Sequence, residues 1–303
     1  MDQLGEKEGF KSGFIAVVGQ PNVGKSTLIN SLIGEKLVIT SRKAQTTRNK
    51  IQCILTLDDA QLVFIDTPGI HTPKDKMGKH LNRTAYNVLK GIDLILFMVD
   101  VNYPPNAADK RIANELEKFD IPILLVLNKV DDMDKSSLGQ RIQEYERIIQ
   151  ANDLLTISAK QEINLEELVE MMVDFLSEGP QYYPDEMVTD QIEQFIIAEM
   201  IREKILAHTH QEVPHSVAIE IIDFVEREDK ELIEIRANIY VERSSQKGII
   251  IGKNGRMLKK IGTQARQDIE DLLGTKVFLD LWVKVEKDWR DEDDALKMLG
   301  YKD

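Results

Sequence analysis

The residues that point most directly to a chemistry are the eight from Gly19 to Ser26, which read Gly-Gln-Pro-Asn-Val-Gly-Lys-Ser. They fit the pattern G-x-x-x-x-G-K-[ST] and lie between a short apolar run, Phe14–Val18, and a helical pattern, Ser26–Ile33. In such loops backbone N–H groups surround a phosphate, the lysine binds the β- and γ-phosphates, and the hydroxyl ligates Mg²⁺. A chance match in a chain of this length has odds of about one per cent. The sequence therefore predicts a nucleoside triphosphate site formed by Gly19, Gln20, Pro21, Asn22, Val23, Gly24, Lys25, Ser26 and Thr27.

A second motif, Asp66-Thr67-Pro68-Gly69, follows the apolar run Gln61–Ile65. An aspartate at a strand end suits the carboxylate on the Mg²⁺ side of a phosphate-loop enzyme, and the Gly69 N–H can contact a γ-phosphate. Alone, an aspartate before a Pro-Gly turn is more often only a turn. Because the phosphate loop precedes it, we predict that Asp66, Thr67, Pro68 and Gly69 bind nucleotide, with Asp66 on Mg²⁺.

Two further motifs suit recognition of a purine base. Asn128-Lys129-Val130-Asp131 ends the run Ile123–Leu127, and a carboxylate at Asp131 can accept hydrogen bonds from guanine N1–H and the N2 amine. Adenine has neither donor on that edge, so a paired aspartate selects guanine. We expect Asn128 to tether this loop to the phosphate loop. Ser158-Ala159-Lys160 is expected to offer a backbone N–H to guanine O6, and it carries weight only as the fourth element in the right order.

The elements that position these motifs are short apolar runs alternating with helical patterns. This alternation is typical of βαβ units and predicts an α/β, doubly wound, mostly parallel sheet of the P-loop NTPase type over residues 1–180. The segment Glu178–Asp190 has two prolines, a glycine and no period, so we predict a linker over 181–190. The predicted helices of this half are Ser26–Ile33, Asn106–Phe119, Ser137–Ile149 and Leu165–Leu176.

Residues 191–303 have a different pattern, which predicts an α+β domain with the element order α-β-β-α-α-β-α. Two long β-patterned runs, Val217–Glu226 and Leu232–Arg243, are joined by a charged turn. The net charge of the chain is −13, which argues at first against a nucleic acid partner. However, the window Arg236–Arg266 holds eight basic residues and one acid, Glu242, a local charge of +7. Local charge decides where a polyanion can dock, so the overall negative charge does not exclude a nucleic acid partner.

Composition excludes other classes. The longest apolar runs fall far short of the ~20 residues that a transmembrane helix needs, and the N-terminal residues contain no apolar signal region. The single cysteine, Cys53, can form neither an internal disulfide nor a metal cluster. We therefore expect a cytoplasmic protein.

The four nucleotide motifs together resemble those of translation-factor-type GTPases. By that resemblance Gln45-Thr46-Thr47-Arg48 is the mobile loop, and Thr47, next to Thr46, coordinates Mg²⁺. The resemblance implies catalytic roles for Lys25, Thr47 and Gly69, and Asn22 resembles the position that ligates K⁺ in cation-activated members. Ile70 stands where Ras-like enzymes place the glutamine that orients water, so we expect slow intrinsic hydrolysis that depends on a cation or a partner.

In the second domain, Ile249-Ile250-Ile251-Gly252-Lys253-Asn254-Gly255 resembles the KH signature, whose GxxG loop clamps about four single-stranded nucleotides. Two glycines three residues apart are weak evidence on their own. The isoleucines before them, the following helix and the +7 window support the assignment. The element order matches a type II KH domain. The predicted RNA-binding residues are Ile251, Gly252, Lys253, Asn254, Gly255, Arg256, Lys259 and Lys260.

The combination of both domains resembles the Era family of bacterial GTPases over nearly the whole chain. The resemblance implies binding of GTP and GDP, binding of the 3′ end of small-subunit (16S) ribosomal RNA, and a role in 30S subunit assembly. It also implies peripheral association with the inner membrane, and we expect a monomer.

Two readings of the function stay open. In one the protein is mainly an enzyme that turns over GTP, and in the other it is an RNA-binding switch that hydrolysis resets. Ile70 and the basic window favour the second. The alternative is a GTPase of the same superfamily that acts on another RNA such as tRNA. A tRNA-modifying GTPase would need a catalytic cysteine or a methyl-donor site, and Cys53 lies in a β-patterned stretch with no visible partner.

Overall fold

The structure is a computed structural model that describes residues 9–38, 51–66, 75–79, 89, 91–210, 213–227, 231–299 and 301. The described residues divide into two compact units. The first comprises those up to Asp190 apart from 75–79, and the second comprises 75–79 and those from Gln191 onward.

In the described part of the first unit, six strands form one sheet in the order β2-β3-β1-β4-β5-β6. The pairs β1–β3, β1–β4, β4–β5 and β5–β6 are parallel, whereas β2–β3 is antiparallel. The chain therefore winds in opposite directions on the two sides of β1, and ligands bind at the carboxyl ends of strands at such a reversal point. The strands are β1 (Lys11–Val18), β2 (Ile51–Thr56), β3 (Ala60–Asp66), β4 (Leu94–Asp100), β5 (Ile123–Asn128) and β6 (Asp153–Ile157).

Burial explains why these runs form central strands. Every residue of β3 and β5 is buried, as expected for parallel strands covered on both faces. The helices lie close to their predicted positions, and Asn106 begins the second with a capping box closed by Asp109. The predicted P-loop-type α/β fold is confirmed. The helices are α1 (Lys25–Ile33), α2 (Ala107–Leu116), α3 (Lys135–Glu146) and α4 (Leu165–Phe175).

Strand β2 and the predicted linker lie together at one edge of this sheet. The β pattern around Cys53 predicts a strand there without bounds, and β2 pairs with β3 through Cys53 and Phe64. Residues 181–190, here called the edge strap, continue the first unit: the Ile54 N–H donates to the Val188 carbonyl at 2.9 Å. The side-chain oxygen of Gln61 accepts hydrogen bonds from the N–H groups of Tyr182 and Tyr183 at 2.8 and 3.0 Å. The segment predicted to be a linker thus lies along β2, an edge strand of the sheet.

The second unit has the predicted order α-β-β-α-α-β-α. Strands β7 and β8 are antiparallel and β8 and β9 are parallel, while α5 and α7 pack on the sheet. The predicted α+β KH arrangement is confirmed. Its elements are α5 (Glu193–His208), β7 (Ala218–Arg227), β8 (Leu232–Val241), α6 (Ser244–Ile251), α7 (Arg256–Leu273), β9 (Lys276–Val285) and α8 (Asp293–Met298).

No helix within the described ranges is long and apolar enough to cross a membrane.

Candidate functional site

The predicted phosphate loop connects β1 to α1 at the reversal point of the sheet. Gly24 has φ +108°, and a Cβ there would collide with the side-chain amide of Asn128. A Cβ at Gly19 would collide with the Met98 carbonyl. Asn22 also has positive φ, 70°, which asparagine adopts more readily than most residues. Glycine is therefore required at both ends of the loop, because neighbouring strands approach it closely.

Lys25 is the buried charge of this loop. Its side chain is 7 % exposed, and its Nζ donates hydrogen bonds to the carbonyls of Gly19 and Gln20 at 3.1 and 3.0 Å. Burial lowers the pKa of Lys25, and the nearby Asp66 carboxylate partly opposes that shift. The backbone therefore holds the ammonium group inside the loop, where it meets any phosphate bound by the loop.

Ser26 and Asp66 come together from different elements. Asp66 ends β3 and is fully buried, and the Ser26 Oγ donates to its Oδ2 at 3.2 Å. An adjacent hydroxyl and carboxylate form a pair of hard oxygen donors, the ligand type that Mg²⁺ prefers. These residues therefore fit the predicted metal role. Other residues predicted for this side of the nucleotide lie outside the described residues: Gln45, Thr46, Thr47, Arg48, Thr67, Pro68, Gly69 and Ile70.

Asn128 joins three loops at the carboxyl ends of the strands. It is 2 % exposed, its Nδ2 donates to the Val23 carbonyl at 2.8 Å, and its Oδ1 accepts from the Ala159 N–H at 2.9 Å. One side chain therefore tethers the phosphate loop to the Ser158–Lys160 turn. The Ala159 N–H, in the turn predicted to contact guanine O6, is thus paired with the Asn128 side chain in this structure.

The predicted base-recognition loop begins where Asn128 ends β5. Lys129 has φ 70°, and Val130–Asp132 forms a single helical turn that leaves the Asp131 carboxylate exposed. The Lys129 Nζ donates to the Asn22 carbonyl at 2.8 Å, which adds a second link between this loop and the phosphate loop. The loop that carries Asp131 is therefore fixed to the phosphate loop.

The second candidate site is the GxxG loop between α6 and α7. Helix α6 ends at Ile251 and is capped by Gly252, whose N–H donates to the Gly248 carbonyl at 2.9 Å and whose φ is +71°. A Cβ at Gly252 would lie 2.6 Å from the Met257 Cβ, whereas one at Gly255, φ +74°, would meet nothing within 4 Å. The loop side chains point to solvent, and so do the cations of the first turns of α7. The exposed residues are Lys253, Asn254, Arg256, Lys259 and Lys260.

A groove of about 390 Å³ lies beside this loop, between α7 and β9. Its walls combine apolar and basic side chains, as a surface that receives bases and phosphates requires. Gly262 of α7 faces β9 across this groove, and a Cβ there would make van der Waals contact with the Leu281 Cδ1 at 3.4 Å. The lining residues are Gly255, Leu258, Lys259, Gly262, Thr263, Arg266, Leu279 and Leu281.

Comparisons with known proteins match both halves. A family model described as 50S ribosome-binding GTPase matches residues 14–129, and a KH-domain model matches residues 212–290. GTPase Era of Alkaliphilus oremlandii is 51% identical over 96% of this chain and 99% of its own length. GTPase Era of Staphylococcus epidermidis is 49% identical, covering 96% and 97%. The chain belongs to the Era family of GTPases.

Solved Era structures agree over the whole fold. One is a crystal structure of Era with MgGDPNP and nucleotides 1506–1542 of 16S ribosomal RNA. It matches with a TM-score of 0.93 and 38% identity, over 97% of this chain and 99% of that one. A variant of Aquifex aeolicus Era bound to GDP and AlF4⁻ matches with a TM-score of 0.93 and 38% identity, covering 97% and 100%.

Within this Era-family site, sequence reasoning missed two residues that position Lys129. Asp100, at the end of β4, forms an ion pair with the Lys129 Nζ at 2.6 Å. The Asn102 Nδ2 donates to the Asp100 Oδ1 at 3.0 Å and to the Lys129 carbonyl at 3.2 Å. The position of Asp100 could have indicated this role, because it is a polar residue at the carboxyl end of a strand next to β1.

The one acid in the basic window, Glu242, is engaged within the second unit. Arg290 donates to its two carboxylate oxygens from Nε at 3.0 Å and from Nη2 at 2.8 Å, and also binds the Asp75 carboxylate at 3.2 Å. The N–H groups of Glu242 and Arg243 donate to the Gln246 Oε1, at the start of α6. Glu242 therefore supports α6 while the basic side chains line the loop.

Two further observations concern the cysteine and clusters of metal-ligating side chains. Cys53 is buried, and desolvation raises the pKa of its thiol, so it is a poor nucleophile. In the part of the chain that the structure describes, no group of three or more His, Cys, Asp or Glu side chains could hold a metal ion.

Proposed function

We propose that this chain is a GTPase that binds the 3′ end of 16S ribosomal RNA and assists assembly of the 30S subunit. The observation that carries the proposal is the presence in one chain of a phosphate loop with a buried lysine, Lys25, and an exposed basic GxxG loop. The Era structure with 16S ribosomal RNA nucleotides supports the choice of RNA.

In the nucleotide site, the loop N–H groups and Lys25 bind the phosphates, and Asp131 pairs with guanine. Ser26 and Asp66 would hold Mg²⁺, with Thr47 as a further ligand by family resemblance. When bound, Mg²⁺ neutralises charge on the β- and γ-phosphates. The buried Asn128 and the ion pair of Lys129 hold the loop Asn128–Asp131 in a fixed position relative to the phosphate loop.

Hydrolysis is proposed to be slow without help, because Ile70 cannot orient water. Asn22, exposed within the phosphate loop, is the proposed K⁺ ligand. We expect turnover in K⁺ to exceed turnover in Na⁺, and Asn22→Ala to remove the difference. Equal wild-type rates in the two salts, measured by phosphate release, would end the cation proposal.

In the RNA site, Gly252–Gly255 receives the RNA backbone, and the groove beside it receives bases. The residues proposed to contact RNA are Ile251, Gly252, Lys253, Asn254, Gly255, Arg256, Lys259 and Lys260. We propose a monomer that works in the cytoplasm and associates peripherally with the inner membrane.

Fluorescence anisotropy with a labelled 3′-end fragment of 16S ribosomal RNA tests the function. Gly252→Asp places a carboxylate and a crowding Cβ where a phosphate should meet the backbone, so RNA affinity should fall at least ten-fold. Gly274→Asp is the matched control: its φ is also positive, +64°, and a Cβ there meets nothing within 4 Å. GTP affinity should be unchanged in both variants.

The same assay separates the alternative RNA. A labelled tRNA should bind more weakly than the ribosomal fragment. If tRNA binds more tightly, or if Gly252→Asp binds the ribosomal fragment like the wild type, the proposed RNA function is wrong.

A further inference from the structure

One short segment from the nucleotide half of the sequence belongs to the second unit. Residues 75–79 lie between β3 and β4 in the chain, yet they group with the residues from Gln191 onward. The Lys76 N–H donates to the Asp291 Oδ1 at 3.1 Å, and Met77 is buried. A piece of chain that follows the second nucleotide motif is therefore bonded to the unit that carries the GxxG loop.

Arg290 joins this segment to the start of α6. Its Nη1 donates to the Asp75 Oδ2 at 3.2 Å, while its Nε and Nη2 donate to the two carboxylate oxygens of Glu242 at 3.0 and 2.8 Å. The side chains of Arg290, Asp75 and Glu242 are 23 %, 15 % and 8 % exposed, so salt screens these pairs less than exposed ones. The arrangement requires the planar fork of arginine, because lysine would present one ammonium group to both carboxylates.

Glu242 lies where β8 passes into α6. Its backbone N–H and that of Arg243 donate to the Oε1 of Gln246, at 3.0 and 2.9 Å. The Gln246 side chain belongs to α6 and is buried. Because α6 has only eight residues and leads directly to Gly252, the position of Glu242 influences the position of the GxxG loop.

Asp75 is close in sequence to the residues predicted to contact the γ-phosphate and Mg²⁺. It follows Gly69 by six residues and Asp66 by nine. Six residues span at most about 20 Å even when fully extended. Asp75 can therefore keep its bond to Arg290 only for some positions of Gly69.

We propose that Arg290 is a positioning residue that makes the RNA affinity of the GxxG loop depend on the bound nucleotide. This inference rests on the proposed function, because it assigns the contact through which the GTP site and the RNA site affect each other. While Asp75 is bound, Arg290 is held between two carboxylates and fixes Glu242. When a change of nucleotide withdraws Asp75, Arg290 and Glu242 are held only by each other, and α6 can move with them. One ligand changes the affinity of another only through such a difference between states.

RNA affinity in two nucleotide states tests the proposal. Anisotropy with the labelled ribosomal RNA fragment is measured with Mg²⁺ and either GDPNP or GDP. For the wild type we expect the two dissociation constants to differ at least five-fold, the lower end of typical coupling between sites. Asp75→Asn keeps an oxygen for the Gly78 N–H but removes the charge that faces Arg290, so the ratio should fall below two-fold. Arg290→Lys should have the same effect, because it keeps the charge and loses the fork.

An exposed ion pair between the same two segments provides the matched control. The Lys76 Nζ lies 3.6 Å from the Asp293 Oδ2, and both side chains are 53 % exposed, so solvent screens the pair. Asp293→Asn should therefore keep the wild-type ratio. A purely structural role for Arg290 would weaken RNA binding equally with both nucleotides and leave the ratio unchanged.

The same coupling must appear in nucleotide binding, because coupling between two binding sites is reciprocal. The RNA fragment should change the ratio of GDPNP to GDP affinity by the same factor, measured by calorimetry. This shift should disappear in Asp75→Asn.

Three results would overturn the proposal: equal wild-type RNA affinities with both nucleotides, a wild-type ratio in Asp75→Asn, and a lost ratio in Asp293→Asn. The proposed RNA function survives each of them, because the fragment still binds. If the wild type binds the fragment with neither nucleotide, the proposed function fails together with this inference.

Discussion

The phosphate loop and the GxxG loop both place glycines beside cations that we propose bind phosphate, yet these cations differ in burial. In the phosphate loop, Lys25 is 7 % exposed and Asn128 is 2 % exposed. In the GxxG loop, Lys253 and the cations that follow it are exposed. A buried site loses its function through one misplaced atom, whereas an exposed site loses it gradually as charges are removed.

The glycines show the same difference. A Cβ at Gly24 would meet Asn128, the residue that links three loops, so crowding there disturbs the whole nucleotide site. A Cβ at Gly252 would meet only Met257 of the adjoining helix. The phosphate loop depends on distant parts of the chain, and the GxxG loop depends on its own neighbours.

The largest expected effect is at Gly24. Gly24→Ala combines left-handed strain of about 1–2 kcal/mol with the loss of a buried hydrogen bond worth about 1–3 kcal/mol. GTP affinity measured by calorimetry should therefore fall ~100-fold or more. Gly34 also has a positive φ, +82°, and a Cβ there would meet nothing within 4 Å. Gly34→Ala therefore controls for backbone strain alone and should bind GTP normally. Normal affinity in Gly24→Ala would show that the loop is not rigidly buried.

The next effect concerns base choice by Asp131. Asp131→Asn removes two charge-assisted hydrogen bonds to guanine, so GTP affinity should fall at least ~10-fold. Xanthosine triphosphate should gain affinity, because it has an acceptor where guanine has a donor. The neighbouring exposed carboxylate Asp132, changed to Asn, is the control. If both variants bind GTP as the wild type does, Asp131 does not read the base.

Smaller, graded effects are expected at the exposed cations. Changing Lys253, Arg256, Lys259 or Lys260 to Gln should each weaken RNA binding a few-fold. Each change should also reduce the log–log salt slope by about 0.7, the value for single strands. Lys297→Gln, an exposed cation of α8, should change neither quantity. If any one of these four substitutions abolished RNA binding, the cations would not act as separate, solvent-screened phosphate contacts.

The smallest expected effect is the change in melting temperature when Lys25 is replaced. Burial lowers the pKa of this base in the folded protein, so the ammonium form destabilises the nucleotide-free fold below that pKa. The penalty fades as pH rises through the folded pKa. Lys25→Met should therefore raise the melting temperature on the order of 2–4 °C at pH 7, and by less at pH 10. A lower melting temperature at pH 7 would show that the buried charge is stabilising.

Motif spacing predicts the order of the elements and the residues at the ends of strands, because each motif carries local backbone requirements. Gly19–Ser26 needs a strand before it and a helix after it, and the structure has β1 and α1 there. The order of the second unit follows in the same way from periodicity and turn residues.

Partners from distant parts of the chain could not be predicted. The ion pair of Asp100 with Lys129 and the position of Gly262 against Leu281 depend on which strands and helices lie side by side. The same holds for β2, whose pairing partner β3 decides its direction. A short polar stretch such as the edge strap has no period, so only its contacts reveal its place.

The edge strap has a consequence for aggregation and for the choice of truncation points. Strand β2 is one of the two edge strands of the first sheet, and the strap pairs with it through the Ile54–Val188 hydrogen bond and a bridge between Cys53 and Thr189. Cutting the chain after Pro180 would bare the backbone donors and acceptors of β2, which are a template for cross-molecular strand pairing. An isolated GTP-binding fragment that keeps residues through Asp190 retains its own protection against that pairing.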